Sequence, residues 1–290
     1  MRHHYAPELI FQPWLNDDDK KVHTYGVING NFVSKRAVRS SFGYEDNMLR
    51  APGIVREDQQ FVETIHYKMI DNEGARVLQK IRRNPTHELS RNDAMAWSQF
   101  ILSLVLRRPH TVRSAKEQFE KTLDEILIRR EHEMRFDISL RTLPLRKWAA
   151  KHRPGLIESF GVRGPAELAL DLRLITAVAD AYRTIICTEP ADGQILTSTK
   201  PVCGTLLSGN FPTGQWSLLM PIGPSMAQLI WTNSYDPVPL LSRSKVDFVQ
   251  YINRRTVTLT DIVTPRDRIV GVGDEAVDFV RSNFMERKLI

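Results

Sequence analysis

Residues 182–231 read YRTIICTEPADGQILTSTKPVCGTLLSGNFPTGQWSLLMPIGPSMAQLIW. Short apolar runs recur here: Thr184–Cys187, Gln194–Thr197, Val202–Leu207, Trp216–Met220 and Met226–Trp231. Gly193, Gly204, Gly209, Pro212, Gly214 and Gly223 fall between or near them. Brief apolar runs with turn residues at each break predict an antiparallel β-meander. The chain on the N-terminal side reads quite differently, and that change of character decides the fold class.

Working outward towards the N-terminus, Glu63, Tyr67, Ile70, Gly74, Val77 and Ile81 recur at steps of three and four. This spacing predicts a helix over 58–83 with one apolar face. Gly74 lies mid-stripe at a cost of about 1 kcal/mol in helix propensity, as expected where another backbone approaches closely. Ser90 and Asp93 form an S-x-x-D start signal for a helix whose stripe is Ala94, Trp97, Ile101, Leu104 and Val105. Phe100, Leu102 and Leu106 make it apolar nearly all round, which predicts a central, buried helix ending at Arg107-Arg108-Pro109. A third helix is expected over 111–134. Short pieces and loops are expected over 136–164, then a helix from Pro165 to Ala181 with the proline in its first turn. Near the start, Asn29-Gly30 between Val22–Ile28 and Asn31–Val38 predicts a hairpin. Beyond 231, a helix over 245–254, a strand at 268–272 and a last helix over 274–285 are expected.

These elements define an α+β class, a helical N-terminal half packed on a smaller antiparallel β-rich C-terminal half. The expected organisation is a single composite domain over 1–290. Residues 1–181 form a mainly helical lobe with an N-terminal hairpin, and 182–290 a β-rich lobe with a terminal helix.

The 290 residues carry 40 Lys and Arg against 34 Asp and Glu, a net +6, with 42% hydrophobic and 26% charged residues. The mean hydropathy is −0.31 and the isoelectric point about 9.4. Collagen-like, low-complexity and disordered classes are excluded. The start, Met1-Arg2-His3-His4-Tyr5-Ala6-Pro7, has no apolar signal-peptide core. The longest strongly apolar stretch, Phe100–Leu106, is far too short for a membrane span. Cys187 and Cys203, the two cysteines, are expected to be reduced thiols. A cytoplasmic protein without membrane attachment is the expectation.

The charge is local. Residues 76–116 hold nine Lys or Arg against Glu88 and Asp93, a net +7, and 129–153 hold eight against three acids, a net +5. Such concentration marks a candidate site for nucleic acid or another polyanion. The competing reading is a set of solvated helix ends.

Several residues are candidates for chemistry. Glu63 occupies a stripe position among core residues, where a carboxylate needs a partner, a raised pKa or a metal. With Glu73 and His66 it could form an acid–base or metal cluster, or it could simply sit at an exposed helix N-terminus. His3 and His4 are adjacent, so only one can face a given side of a strand. Arg107 and Arg108 could clamp a phosphate, or be held in an internal salt bridge to Glu63 or Glu73. Ser242–Lys245 contains S-x-x-K without its companion motifs. No P-loop, G-x-S-x-G, G-x-G-x-x-G or H-E-x-x-H occurs.

In order, His3-His4-Tyr5-Ala6-Pro7-Glu8, the acid-bearing helix with Glu63 and Glu73, Arg107-Arg108-Pro109, Leu196–Val202, Leu219–Pro224 and Asn253 resemble the uncharacterised family called domain of unknown function 4238. The family's counterparts are H-H-Y-V-P-Q, R-x-P, T-S-D-N-P-V, F-P-L-S-P and a late Asn. Thr199 stands where the family has an acid. The resemblance implies that His4, Glu63, Glu73, Arg107 or Arg108, Ser198 and Asn253 gather in one place. It implies no reaction.

Three functions are carried forward. The first is an enzyme acting on nucleic acid, a metal-dependent nuclease-like phosphodiester hydrolase conjectured to act in bacterial defence. His4 would be its acid or base, Glu63 and Glu73 would bind Mg²⁺ or Mn²⁺ or activate water, and Arg107, Arg108, Ser198 and Asn253 would hold substrate. The second is a non-catalytic nucleic-acid- or protein-binding module whose polar set is a buried network. The third is a hydrolase or transferase acting on a small anion.

Overall fold

The structure is a computed structural model. It describes residues 2–15, 19–28, 31–50, 66–133, 147, 151–153, 155–204, 212–259 and 262–264. The hairpin residues Asn29-Gly30, the candidate Glu63, and the strand and helix expected at 268–272 and 274–285 lie outside these residues.

The fold is α+β, with helices mainly in the N-terminal and middle parts and antiparallel strands concentrated after residue 181. Strands β1 (Arg2–His4) and β4 (Tyr44–Asp46) pair as a small ribbon. Strands β2 (Val22–Ile28) and β3 (Asn31–Ala37) pair with Ile28 opposite Asn31, the register of a two-residue turn. This hairpin belongs to a four-stranded sheet ordered β3-β2-β10-β6, with β10 at Ile262–Thr264 and β6 at Thr197–Ser198. The second sheet is ordered β5-β9-β8-β7, from β5 (Tyr182–Cys187), β9 (Met226–Trp231), β8 (Ser217–Gly223) and β7 (Cys203–Gly204). The expected meander is thus partly right. β8 and β9 are a hairpin, but β5 skips to β9, and β6 leaves for the N-terminal hairpin's sheet.

Helix α1 (Lys68–Arg83) buries Ile70, Gly74, Val77, Leu78 and Ile81, the expected stripe. It lies against α2 (Arg91–Leu106). A Cβ at Gly74 would come within 2.3 Å of the Phe100 ring, so the glycine makes room for an aromatic side chain rather than a backbone. Ser90 caps α2 by accepting the Asp93 N–H at 3.2 Å. Phe100 to Leu106 are all buried, and Trp97 stacks on Phe100 with ring centroids 5.3 Å apart. One core runs from the 3-10 turn Glu8–Trp14 through α1 and α2 to β8 and β9, so it joins the N-terminal segment to the late strands.

Helix α3 (Pro109–Glu133) follows with Pro109 in its first turn. The helix expected from Pro165 is instead two. α4 (Leu156–Leu168) contains Pro165, and α5 (Leu172–Ala179) restarts after it. Pro165 removes the backbone donor that would bond the carbonyl of Gly161, which weakens the helix three residues before α4 ends. The break comes at Asp171, whose carboxylate accepts the Arg173 N–H at 2.8 Å and caps α5. After a short α6 (Val238–Leu241), α7 spans Lys245–Leu259 and continues past the expected end. Among the described residues no helix is long and apolar enough to cross a membrane.

Candidate functional site

The segment from Gln194 to Cys203 is the hub at which the family-like residues meet. Asn253 of α7 grips it from one side. Leu196 N–H donates to Asn253 Oδ1, and Asn253 Nδ2 donates to the Gln194 carbonyl, both at 2.8 Å. Ser198 is fully buried on β6, and its hydroxyl accepts the Lys200 N–H at 3.2 Å. The N-terminus arrives at Thr199. Tyr5 and Ala6 N–H both donate to the Gly43 carbonyl at 3.0 and 3.1 Å. At φ +72° Gly43 adopts the left-handed turn, and a Cβ there would lie 3.1 Å from Ala6 Cβ and 3.8 Å from Thr199 Cγ2.

The α2–α3 corner completes the hub. Arg108 Nη2 donates to the Val202 carbonyl at 2.5 Å, while its Nε is buried without a hydrogen-bond partner among the described residues. Burial pushes the Arg108 pKa down. Cys203 lies near this guanidinium, and its own thiol is pushed up by burial. It is a free buried cysteine, whereas Cys187 is free and exposed.

Arg107 turns the other way, into the helical core. It is 1% exposed and forks onto Asp71 of α1, Nη2 to Oδ1 at 2.7 Å and Nη1 to Oδ2 at 3.0 Å. Its guanidinium carbon lies 5.0 Å from the centroid of the Tyr67 ring. The internal salt bridge is therefore made to Asp71, a residue not among the sequence candidates. Its signal was present: Asp71 follows Tyr67 by four residues and precedes Gly74 by three, which sets it on the rim of the buried stripe.

Glu73 is on the outer side of α1, half-exposed, and pairs with Arg76 at 3.0 Å. His4 is half-buried on β1, edge-on to the Tyr44 ring at 6.0 Å, with Nε2 buried and without a hydrogen-bond partner among the described residues. Its neighbour His3 is the fully buried histidine. His3 Nδ1 accepts the Leu49 N–H at 3.0 Å, and burial lowers its pKa. The structure thus brings Ser198, Asn253, Arg108 and the turn after His4 to one segment, and sets Arg107 and Glu73 on α1's surroundings instead. Among the described residues no three His, Cys, Asp or Glu side chains are grouped so as to hold a metal ion.

The basic window from 76 to 116 disperses on folding. Arg76 and Lys80 pair with Asp93 at 2.6 and 2.8 Å, and Asp93 is held down to about 2, Lys80's hydrogen bond being the largest cause. Arg91 pairs with Asp180, and Arg113 reaches Glu45 at 3.5 Å. Arg82 donates from Nε to the Ile222 carbonyl of β8 at 2.6 Å, and burial lowers it to about 10. Of the nine cations, Arg83 and Lys116 are left without an internal acid or carbonyl among the described residues.

Comparison with curated proteins and with solved structures finds no match. The family model described as a protein of unknown function, DUF4238, matches residues 2–263, nearly the whole chain, and the protein belongs to that family.

Proposed function

We propose that this member of the family is a non-catalytic binding module for nucleic acid or a similar polyanion. The observation that carries the reading is that Arg107 is buried on Asp71, Arg108 is bound to the Val202 carbonyl and Glu73 is paired with Arg76, so the expected phosphate clamp and one of its two expected acids are already engaged within the fold. A guanidinium forked on a buried-side carboxylate has no geometry left for a phosphate. The ligand class is supported by Lys147, Lys151, Arg153 and Arg163, which are exposed and have no acid within 4 Å among the described residues. Cations presented in this way bind a phosphate backbone without base specificity.

The test is fluorescence anisotropy with labelled DNA and RNA at about 50 and about 200 mM salt, with and without Mg²⁺ or Mn²⁺. Affinity that falls steeply with salt, with both nucleic acids left intact, is expected. Lys151→Glu with Arg153→Glu should lower affinity at least tenfold and reduce the salt slope by about 2, one per lost phosphate contact. Absence of binding at the lower salt sinks the polyanion reading. Metal-dependent cleavage that Glu63→Ala abolishes in a folded protein would replace it with the nuclease reading.

A further inference from the structure

We propose that the cleft between the α1–α2 connection and the edge strand β5 binds a small organic monocarboxylate with an apolar body. The site uses none of the residues assigned above to the hub or to polyanion docking. Its volume is about 590 Å³, within the range of small-molecule pockets. The apolar walls come from Ile81, Pro85, Leu89 and Ile185. One wall is a structured turn, with the Thr86 hydroxyl donating to Asn84 Oδ1 at 3.0 Å and the His87 N–H to the Asn84 carbonyl at 3.2 Å.

Gln228 and Arg183 are two of the polar side chains that line the cleft. Gln228 of β9 is 2% exposed, and its Oε1 accepts the Trp97 indole N–H at 2.6 Å. An indole nitrogen only donates, so this bond fixes the amide's orientation. It leaves the Gln228 NH₂ group without a hydrogen-bond partner among the described residues, on a residue that lines the cleft. Arg183 of β5 lies two residues from Ile185, which faces Gln228 across the ladder, so all three share one face of the sheet. Its Nη2 is anchored on the Val178 and Ala179 carbonyls at the end of α5, and Nη1 is enclosed without a hydrogen-bond partner among the described residues. No carboxylate lies within 4 Å of it among the described residues. Burial lowers its pKa by more than the nearby Asp180 carboxylate, itself paired with Arg91, raises it.

The charge of the ligand follows from this balance. Among the described cleft-lining residues Arg183 is the one permanent cation, beside the exposed imidazole of His87, and Glu88, exposed, is the one acid. A monoanion is matched by Arg183, whereas a phosphate dianion would face Glu88 with a single cation to offset it. Fixed amide donors beside an arginine suit the planar carboxylate oxygens, and the apolar walls suit a ring or short acyl chain.

The test is a titration of ¹⁵N-labelled protein with benzoate and hexanoate, and with benzamide, hexanamide and methyl phosphate as controls. At least one carboxylate should bind at about millimolar strength, usual for so small a molecule, and shift the backbone amides of 84, 86–89 and 183–185. It should bind about tenfold more tightly than its amide. Arg183→Met should erase that preference, and Leu89→Trp, at a half-buried wall position, should block binding in a protein that still folds. Binding of neither carboxylate, equal binding of the amides, tighter binding of methyl phosphate, or unchanged binding in Leu89→Trp would each overturn the proposal.

Discussion

Arg107 and Asp71 form a two-bonded ion pair at 2.7 and 3.0 Å that ties the end of α2 to the first turn of α1. The arginine is enclosed at 1% exposure, the aspartate reaches 22%, and Tyr67 covers the guanidinium face. Removing one partner of such a pair leaves a buried charge uncompensated. Asp71→Ala is expected to cost about 3 kcal/mol of unfolding free energy in urea. Arg107→Lys should also destabilise, because an ammonium cannot reproduce the fork. A loss below about 0.5 kcal/mol for Asp71→Ala would mean that the pair behaves as a solvated surface bridge.

Gly74 and Phe100 test the packing of the same two helices. Alanine is the better helix former by about 1 kcal/mol, so an exposed glycine would be stabilised by the change. Here the new Cβ would meet three Phe100 side-chain atoms within 2.8 Å. Gly74→Ala should therefore destabilise by about 1–3 kcal/mol through overpacking. Adding Phe100→Leu should cost less in the Gly74→Ala background than in wild type, a coupling that a double-mutant cycle reads directly.

His3 makes stability depend on pH near neutrality. Burial lowers its pKa below the ordinary histidine value of 6.5, and its Nδ1 accepts the Leu49 N–H, so the folded protein holds the neutral ring. Its contribution is complete above the unfolded pKa and is lost as pH falls below about 6.5 towards the lower folded value. The melting temperature should drop between about pH 7 and pH 5. His3→Asn keeps an acceptor oxygen near Nδ1 but does not titrate, so its profile should be flatter over that window. An identical slope in both proteins would remove His3 as the cause.

Asp93 acts at lower pH. Hydrogen bonds from Lys80, then Arg76 and Ser90, hold it down to about 2 from the ordinary aspartate value of 3.8. A depressed carboxylate stabilises above its unfolded pKa, and that stability fades as pH falls from about 4 to about 2. Lys80 and Arg76 are about half-exposed, so water screens the effect to about 1 kcal/mol. Asp93→Asn should lose this amount at pH 7 and show a shallower acid transition in guanidinium titrations. A wild-type acid transition that Asp93→Asn leaves unchanged would assign it to other carboxylates.

The helical half was legible because its information is local. The stripe from Tyr67 to Ile81 and the Ser90 cap each specify structure within one or two turns, and both were found as expected. Pairing over long separations was not legible. Thr197 and Ser198 are too short a run to reveal that β6 joins Val263 and Thr264 in the N-terminal hairpin's sheet. Periodicity could not choose among the acids of α1 either. Glu73 and Asp71 differ by two positions, about 200° around the helix, and only the location of α2 decides which of them meets Arg107. Likewise, a net charge of +7 along the sequence said nothing of which cations would turn inward, as Arg82, Arg107 and Arg108 do.

Asn253 separates a structural hub from a substrate site. Its amide satisfies one backbone donor and one backbone acceptor of the segment before β6, with the oxygen on Leu196 N–H and the nitrogen on the Gln194 carbonyl. Asn253→Ala deletes both bonds and leaves partly buried main-chain groups unpaired, at about 2 kcal/mol in total. Asn253→Asp keeps the acceptor but sets a carboxylate oxygen against the Gln194 carbonyl, so it should lose comparable stability that returns in part when the acid is protonated below about pH 4. A residue whose role was to touch substrate would behave in the opposite way, because substrate sites commonly cost stability and their removal is neutral or favourable. Urea unfolding of the three proteins at pH 7 and pH 4 decides the matter. Undiminished stability in Asn253→Ala would take Asn253 out of the structural network and return it to the candidates for ligand contact.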